Sequence, residues 1–477
     1  MNFLLLLLVA IPLFDCFAGL TLPNEKLKSL VKKTFMISSA IILCVIFKKI
    51  NSSPTLSFSA LTPDISLQLS IDRNNILFLF LLNSLWIIFD FYATRFFSIS
   101  NEKEIVPFKL FFAATISFIN FIIMAKNPLS LLFGYDCLVF TIYLLTTKFF
   151  FKNINLNTKI FDFLIFCEAF FLLFAIVLTA KYTNHLKFNK DGILNDINSS
   201  QIYVLFTLYF AAILPTILGL SHLLYHQNCN SDSLLGYIFL PLFYGFAKLF
   251  ILIKIINEVF GIGGFNFVIE KINFEIPSAI FLLALAISLF FLLFSKNFKA
   301  IFFHLFFSQL IVASFSIIVF AIYNEALIYK ALANFILTST LTFLTFSSLI
   351  LYLRKAQNKD VTSLFYDMRI TTILLLFGFL NFIGTAPSLA LLEKYSLLKI
   401  AFNNHLFFAK IFFISNSICL FLLMVKLFFA FFLKSEHPKS EFDKKLSDKI
   451  DNASSLMLSC LVVSIAIFAL PIILFFL

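Results

Sequence analysis

Long apolar blocks separated by short polar segments recur along the whole 477-residue chain. Each block reaches roughly the 20 residues that an α-helix needs to cross the hydrocarbon core of a bilayer. Only 13% of the residues are charged and 61% are hydrophobic, whereas soluble domains carry about 25% charged residues. The sequence therefore predicts an all-α integral membrane protein, with about 14 transmembrane helices on this length criterion.

The basic residues lie mainly in the short segments between the apolar blocks and give the chain a net charge of +11. In membrane proteins such clusters mark cytoplasmic loops, and here they predict that both termini face away from the cytoplasm. No basic stripe with interleaved aromatic residues lies outside the spans. We expect a multi-pass protein of the bacterial inner (plasma) membrane that contacts the lipid bilayer and binds no nucleic acid.

Neither the cysteines nor the histidines predict a metal site. The seven cysteines form no C-x-x-C pair, and those in apolar spans are best interpreted as small buried hydrophobes. His222 and His226 are spaced i, i+4, but a metal site needs more ligands than these two. We expect no metal, disulfide framework or cofactor on this chain. His222 is kept as a candidate pathway residue because histidine titrates near neutral pH.

Helix breakers interrupt two of the predicted spans: Pro215 in span seven, and Gly384 with Pro387 in span twelve. Proline lacks the amide hydrogen and clashes with the preceding turn, so both helices should be discontinuous there. If the chain contains two five-helix units, the breaks occupy corresponding helices, and the odd number of spans inverts the second unit. Such paired breaks indicate a transport site. The sequence thus predicts four groups of helices. They are three helices in residues 1–106, five in 107–259, five in 276–434 and one in 453–477.

Asp136, Glu168 and Lys248 are charged residues well inside spans of the first predicted unit. An ionised Asp in lipid costs about 2.5–3.5 kcal/mol on insertion scales. Asp136 should therefore face the bundle interior, and we expect it to face Lys248 or the break in span seven; the alternative is an interfacial residue that reaches water. Glu168 and Lys248 lie nearer mid-membrane, where a structural ion pair and a proton relay predict the same residues.

In the second unit, Lys394 stands beside Glu393 in an otherwise apolar stretch shortly after the break. A charge next to a helix break inside hydrocarbon is unfavourable unless protein or water satisfies both. We expect Lys394 to be the residue most needed for any ion movement.

Four segments resemble the antiporter-like membrane subunits of bacterial respiratory complex I and of Mrp-type sodium/proton antiporters. Around Lys299 the chain resembles the family's D-x-K-x-x-x-A-Y-S-S-x-S-Q-L, with Lys299, Ser308, Gln309 and Leu310 in register. Gly384, Pro387 and Lys394 match G-x-P-P-x-x-G-F-x-x-K. The segment before and including Asp136 looks like the family's G-W-E, which would put Asp136 at its essential glutamate. Asp72 with Tyr92 resembles its D-x-L-S…Y-S segment.

The chain also departs from this family at central positions. Aligning His222 with the family histidine puts Pro215 at the span-seven lysine and Phe246 at the span-eight lysine. Lys248 then lies two residues farther on, about 200° around the helix. The family's H-A-x-x-K becomes Asn334 to Thr338. The resemblance therefore implies a divergent member whose polar axis is interrupted.

Three functions remain open on the sequence. The leading one is a proton- or cation-translocating subunit that works with other membrane subunits of a respiratory or antiporter complex; as an enzyme component it would be at most a non-redox subunit of an NADH:quinone oxidoreductase. The second is a structural or assembly subunit of the same family that conducts nothing. The third is an unrelated flippase or polysaccharide exporter, which the scarcity of Arg in the spans disfavours.

Overall fold

The protein, seen in a computed structural model, consists mainly of α-helices together with one two-stranded hairpin. The structure describes residues 2–22, 25–48, 55–62, 65–100, 105–144, 156–183, 186, 188, 192–194, 197–218, 234–295, 298–356, 364–385, 388–433, 441–451 and 454–476.

The elements of the N-terminal half are, in chain order, α1 (Asn2–Thr21), α2 (Glu25–Lys48), β1 (Thr55–Thr62), β2 (Ile65–Ser70), α3 (Arg73–Ser100), α4 (Ile105–Met124), α5 (Pro128–Leu144), α6 (Leu156–Thr183), α7 (Ser199–Ala211), α8 (Leu214–Ile217) and α9 (Leu234–Lys254). After a π-helix (Ile255–Phe260), the chain continues through α10 (Gly261–Ile272), α11 (Glu275–Phe294), α12 (Phe298–Tyr323), a 3₁₀ turn (Glu325–Leu327), α13 (Ile328–Lys355), α14 (Leu364–Asp367), α15 (Arg369–Ile383), α16 (Leu389–Asn403), α17 (Phe407–Phe432), α18 (Glu441–Asp451) and α19 (Ser454–Phe476).

The hairpin of β1 and β2 is antiparallel and covers the turn between α4 and α5. The amide of Lys126 donates to the carbonyl of Gln68 at 2.8 Å. Asn127 caps α5, since its side-chain oxygen accepts the Ser130 amide at 2.8 Å, and an Asn cap satisfies an amide that has no partner within the helix. The start of α5 is thereby fixed.

Seven described helices are long and apolar enough to cross a membrane, and the bent pair α18–α19 would make an eighth. Further helices, α4, α5 and α15 among them, are apolar but shorter. The chain is thus a multi-pass membrane protein. The count of fourteen spans and the two inverted units stay predictions.

Helices α12 and α13 form the centre of the molecule and are buried along almost their whole length. A helix that is apolar on every side is expected in such a position. Along α13, seven of the eleven residues from Thr338 to Ser348 are Ser or Thr, and these are buried and bond back to carbonyls of their own helix. Small residues of this kind allow close approach of membrane helices. Helix α3 packs closely against this surface, because the hydroxyl of its Tyr92 lies 2.6 Å from Ser347 Oγ.

The structure interrupts the helix at both of the predicted breaks. Helix α7 ends at Ala211 and α8 starts at Leu214, with Pro215 in the first turn of α8, where its missing amide hydrogen costs least. Helix α15 ends before Gly384, which is left-handed with φ +90°, and α16 starts at Leu389. Pro387 lies outside the described residues.

Candidate functional site

Glu168 of α6 and Lys248 of α9 form a buried ion pair in the N-terminal half. Lys248 Nζ lies 3.0 Å from Glu168 Oε2, and each side chain is 1% exposed. Two opposite charges taken out of water are stable only if they pair closely and their other hydrogen-bonding groups find partners. The helix break and two tyrosines provide those partners.

The break between α7 and α8 binds both members of the pair. The amide of Thr216 donates to Glu168 Oε1 at 2.8 Å, and Lys248 Nζ donates to the carbonyl of Ala212 at 2.8 Å. Amides in the first turn of a helix and carbonyls in its last turn have no partner within the helix. The break therefore supplies one donor for the carboxylate and one acceptor for the ammonium.

Two tyrosines complete this environment. The Tyr244 hydroxyl donates to Glu168 Oε2 at 2.8 Å, and the hydroxyls of Tyr135 and Tyr244 share a hydrogen bond of 2.7 Å. Lys248 Nζ also lies 4.3 Å from the centroid of the Tyr135 ring, a cation–π distance. A chain of hydroxyls that ends on a carboxylate can pass a proton. We call the five residues the first polar centre: Tyr135, Glu168, Thr216, Tyr244 and Lys248.

A second polar centre lies between α13, α15 and α16. Asn334 Nδ2 donates to Glu393 Oε2 at 2.7 Å, and Asn381 Nδ2 donates to Asn334 Oδ1 at 3.2 Å. The Asn381 amide also bonds to the Thr338 hydroxyl. The carboxylate of Glu393 is thus held by a neutral network. We call Asn334, Thr338, Asn381, Glu393 and Lys394 the second polar centre.

Lys394 binds the end of the broken helix α15. Its Nζ donates to the carbonyls of Phe382 and Ile383, the latter at 3.1 Å, and to Ser417 Oγ at 3.4 Å. The lysine stem passes over Gly384, where a Cβ would lie 3.0 Å from Lys394 Cδ. Glycine at this position therefore permits both the left-handed turn and the approach of the lysine.

Phenylalanine side chains from α9, α12 and α13 pack together near residues of both centres in the sequence. Phe246 of α9 and Phe335 of α13 are buried with ring centroids 5.9 Å apart, and Phe306 of α12 lies 5.9 Å from Phe335. Phe246 is two residues before Lys248, and Phe335 directly follows Asn334. The contact of α9 and α12 with α13 at these positions is thus aromatic and apolar.

The expected contact between Asp136 and Lys248 is wrong. Lys248 pairs with Glu168, whereas the Asp136 side chain is exposed on the surface of the chain, and among the described residues no ion pair includes it. The physical reason is the rotation of α5, which points Tyr135 inward and therefore turns the next residue about 100° away.

Other predicted pathway residues are placed differently. Lys299 lies in the first turn of α12 and is partly buried. His222 lies outside the described residues, as does His226. Within the described part of the chain, no group of three or more His, Cys, Asp or Glu side chains could hold a metal ion.

The sequence interpretation missed several residues of both centres. Tyr244 stands four residues before Lys248, which places the two on one helix face, and that spacing could have identified it. Thr216 and Asn381 carried no such signal. A further charged cluster on α1 to α4 was also missed: Lys32 Nζ lies 2.6 Å from Asp90 Oδ1, and Lys109 Nζ lies 3.5 Å from the same atom.

Comparison with known proteins identifies the fold. No family model matches the sequence, and no curated protein matches it. A chain of the Mrp complex from Dietzia sp. DQ12-45-1b is similar with a TM-score of 0.74 and 12% identity, over 98% of this chain and 94% of that chain. A chain of the membrane-bound sulfane sulfur reductase, an archaeal respiratory membrane complex, is similar with a TM-score of 0.74 and 13% identity, over 97% and 75%. The protein thus shares the fold of membrane subunits of such complexes.

Proposed function

We propose that the protein is a proton- or cation-translocating subunit of a multisubunit respiratory or Mrp-type membrane complex. It would lie in the bacterial inner membrane with both termini outside the cytoplasm, and redox chemistry would belong to other subunits. The observation that carries the proposal is the Glu168–Lys248 pair bound to the break between α7 and α8. An ionisable pair held by a broken helix is the arrangement expected of an ion site within a membrane.

Proton translocation would use two protonation states of the first polar centre. When Glu168 is ionised, it holds Lys248 and accepts hydrogen bonds from Thr216 and Tyr244. When Glu168 takes up a proton, Lys248 keeps the Ala212 carbonyl and the Tyr135 ring as partners. Arrival or departure of a neighbouring charge would bias the two states.

A non-conducting structural subunit is the second candidate, and two observations favour it. Asn334 and Thr338 stand where the resembled family has His and Lys, and they form a neutral network. The Phe246–Phe335 contact makes the packing between α9 and α13 apolar at this position. A scaffold would keep the fold and the buried pair but move no ions.

The test is proton movement in vesicles that contain the purified complex with its full-length chain. A pH-sensitive dye would report proton uptake in response to an imposed ion gradient, and native gels would report assembly. We expect Lys394→Ala to assemble normally and to lose proton uptake, because the lysine binds the break between α15 and α16. Lys426→Gln is the control, since Lys426 is exposed and binds carbonyls at the end of α11.

Proton uptake by Lys394→Ala equal to that of the unmodified complex, with normal assembly, would support the scaffold instead. Glu168→Gln separates the two candidates independently. It keeps the volume of the side chain but replaces one carboxylate oxygen with an amide group and cannot cycle a proton. In variants that assemble normally on native gels, a translocating subunit should therefore lose uptake and a scaffold should not.

A further inference from the structure

An exposed stripe runs along α5 and contains one charged residue. Phe133, Asp136, Phe140 and Tyr143 are all exposed, with fractions of 47% for Phe133, 58% for Phe140 and 37% for Tyr143. Their spacings of three, four and three residues put them on one helix face. The stripe is aromatic except for the carboxylate.

The neighbouring helix α6 extends this surface. Phe163, Phe166 and Phe170 are 66%, 47% and 64% exposed, and the rings of Tyr143 and Phe166 lie 5.6 Å apart. Because these rings join the two stripes, the exposed residues of α5 and α6 form one continuous surface, which we call the α5–α6 face.

Asp136 lies midway along the described length of α5. It is eight residues from each end of α5 (Pro128–Leu144), about 12 Å from either end at 1.5 Å per residue. A long Lys or Arg side chain can reach the interface from such a depth, but the short side chain of Asp cannot. The carboxylate therefore cannot reach interfacial water along the face.

Another exposed face of the molecule shows what a lipid-facing surface looks like in this chain. On α11 the outward residues are all apolar along the helix: Ile276, Ile280, Leu283, Ile287, Phe290 and Phe294. Such a stripe needs only acyl chains around it. The α5–α6 face differs from it by a carboxylate at mid-depth, and ionisable residues in membranes are almost always covered by protein or water.

We propose that the α5–α6 face is covered by another integral membrane subunit that places a Lys, Arg or His side chain against Asp136. The proposal rests on the proposed membership in a complex, but not on ion transport. A second copy of this chain does not fit, because a two-fold contact through this face would bring the two Asp136 carboxylates together.

The test uses a photo-crosslinking amino acid, p-benzoylphenylalanine, in the full chain produced in its native membrane with its neighbouring subunits. The probe replaces Phe140 in one variant and Phe290 on α11 in the matched control. We expect the probe at 140 to label one polytopic protein, at a helix carrying a Lys, Arg or His within the membrane, and the probe at 290 to label lipid.

Charge substitutions then test the role of Asp136. Asp136→Leu should lower the yield of the crosslink from position 140 about tenfold or more, since truncating one member of a buried interfacial charge pair weakens binding strongly. Asp136→Lys should abolish the crosslink, and exchange of the partner's cationic residue for Asp should restore it in that background.

Three results would overturn the proposal: labelling of lipid alone at both positions, labelling of a second copy of this chain, or a crosslink yield that Asp136→Leu leaves unchanged. Vesicle transport assays report the proposed function separately. Loss of the crosslink with intact transport would refute only the surface, and the reverse result would refute only transport.

Discussion

Each of the two polar centres holds a lysine and a carboxylate beside a broken helix, but the two centres do so with different contacts. In each, a lysine donates to carbonyls at the end of a broken helix: Lys248 to Ala212, and Lys394 to Phe382 and Ile383. In the first centre the carboxylate binds the lysine directly. In the second, no ion pair within the described residues joins Glu393 to Lys394, because consecutive helical residues point about 100° apart.

The difference shows that the carboxylate beside a broken helix can be held either by an ion pair or by a network of neutral hydrogen-bond donors. The first centre keeps both charges and needs close packing around them. The second replaces the direct contact by Asn334 and Asn381, which donate hydrogen bonds without adding charge. The first centre should therefore be the more sensitive to loss of a single partner.

Removal of the lysine from the first centre should have the largest effect. Lys248→Met leaves Glu168 buried beside apolar atoms, and losing one partner of a buried pair costs about 3–5 kcal/mol. Unfolding titrations of the purified protein in mixed micelles would measure it. The double variant Glu168→Gln with Lys248→Met should recover most of the loss; equal instability of single and double variants would mean that the pair is not coupled.

Tyr244→Phe should have the next largest effect. It removes the hydrogen bond to the Glu168 carboxylate, and hydrogen bonds to charged groups contribute about 1.5–3 kcal/mol. Tyr209→Phe is the matched control, since the buried Tyr209 hydroxyl lies 3.0 Å from the neutral Thr179 hydroxyl, and neutral hydrogen bonds contribute about 0.5–1.5 kcal/mol. The same titration compares them, and an equal loss in both would indicate that the carboxylate carries no charge.

In the second centre, Asn334→Leu should destabilise the protein by about 1–3 kcal/mol, the cost of leaving a buried acceptor without its donor. Asn416→Leu provides a comparison, because Asn416 accepts only from the neutral Gln309 amide at 3.2 Å among the bonds described. If Asn334→Leu left the free energy of unfolding unchanged, the neutral network would not be what holds Glu393.

Gly384→Ala should have the smallest effect, about 1–2 kcal/mol for an alanine in the left-handed region. The added Cβ would also press on the Lys394 stem, so proton uptake should fall with it. Gly263→Ala tests the specificity of the effect: a Cβ there meets nothing within 4 Å, and alanine in a helix should stabilise by about 0.5–1 kcal/mol. A similar loss in both variants would argue against a special role for the left-handed turn.

Much of the fold was predictable because membranes impose local rules. Apolar blocks of helix length must be helices, since backbone groups in hydrocarbon have no water to bind. Pro215 and Gly384 marked both interruptions, because proline and left-handed glycine act on the backbone within one turn. The main partners of Lys394 could not be predicted, because they are backbone carbonyls, which every residue carries.

The sequence by itself determined that the chain crosses a membrane, where its helices break, and that Glu168, Lys248 and Lys394 lie within helices. Only the tertiary structure decided which carboxylate binds Lys248. Asp136 and Glu168 both lie within apolar helices, α5 and α6, that show almost no amphipathic pattern, so nothing local fixes how either helix is rotated. Packing against α4, α8 and α9 sets that rotation, and it turns Glu168 inward while leaving Asp136 on the surface.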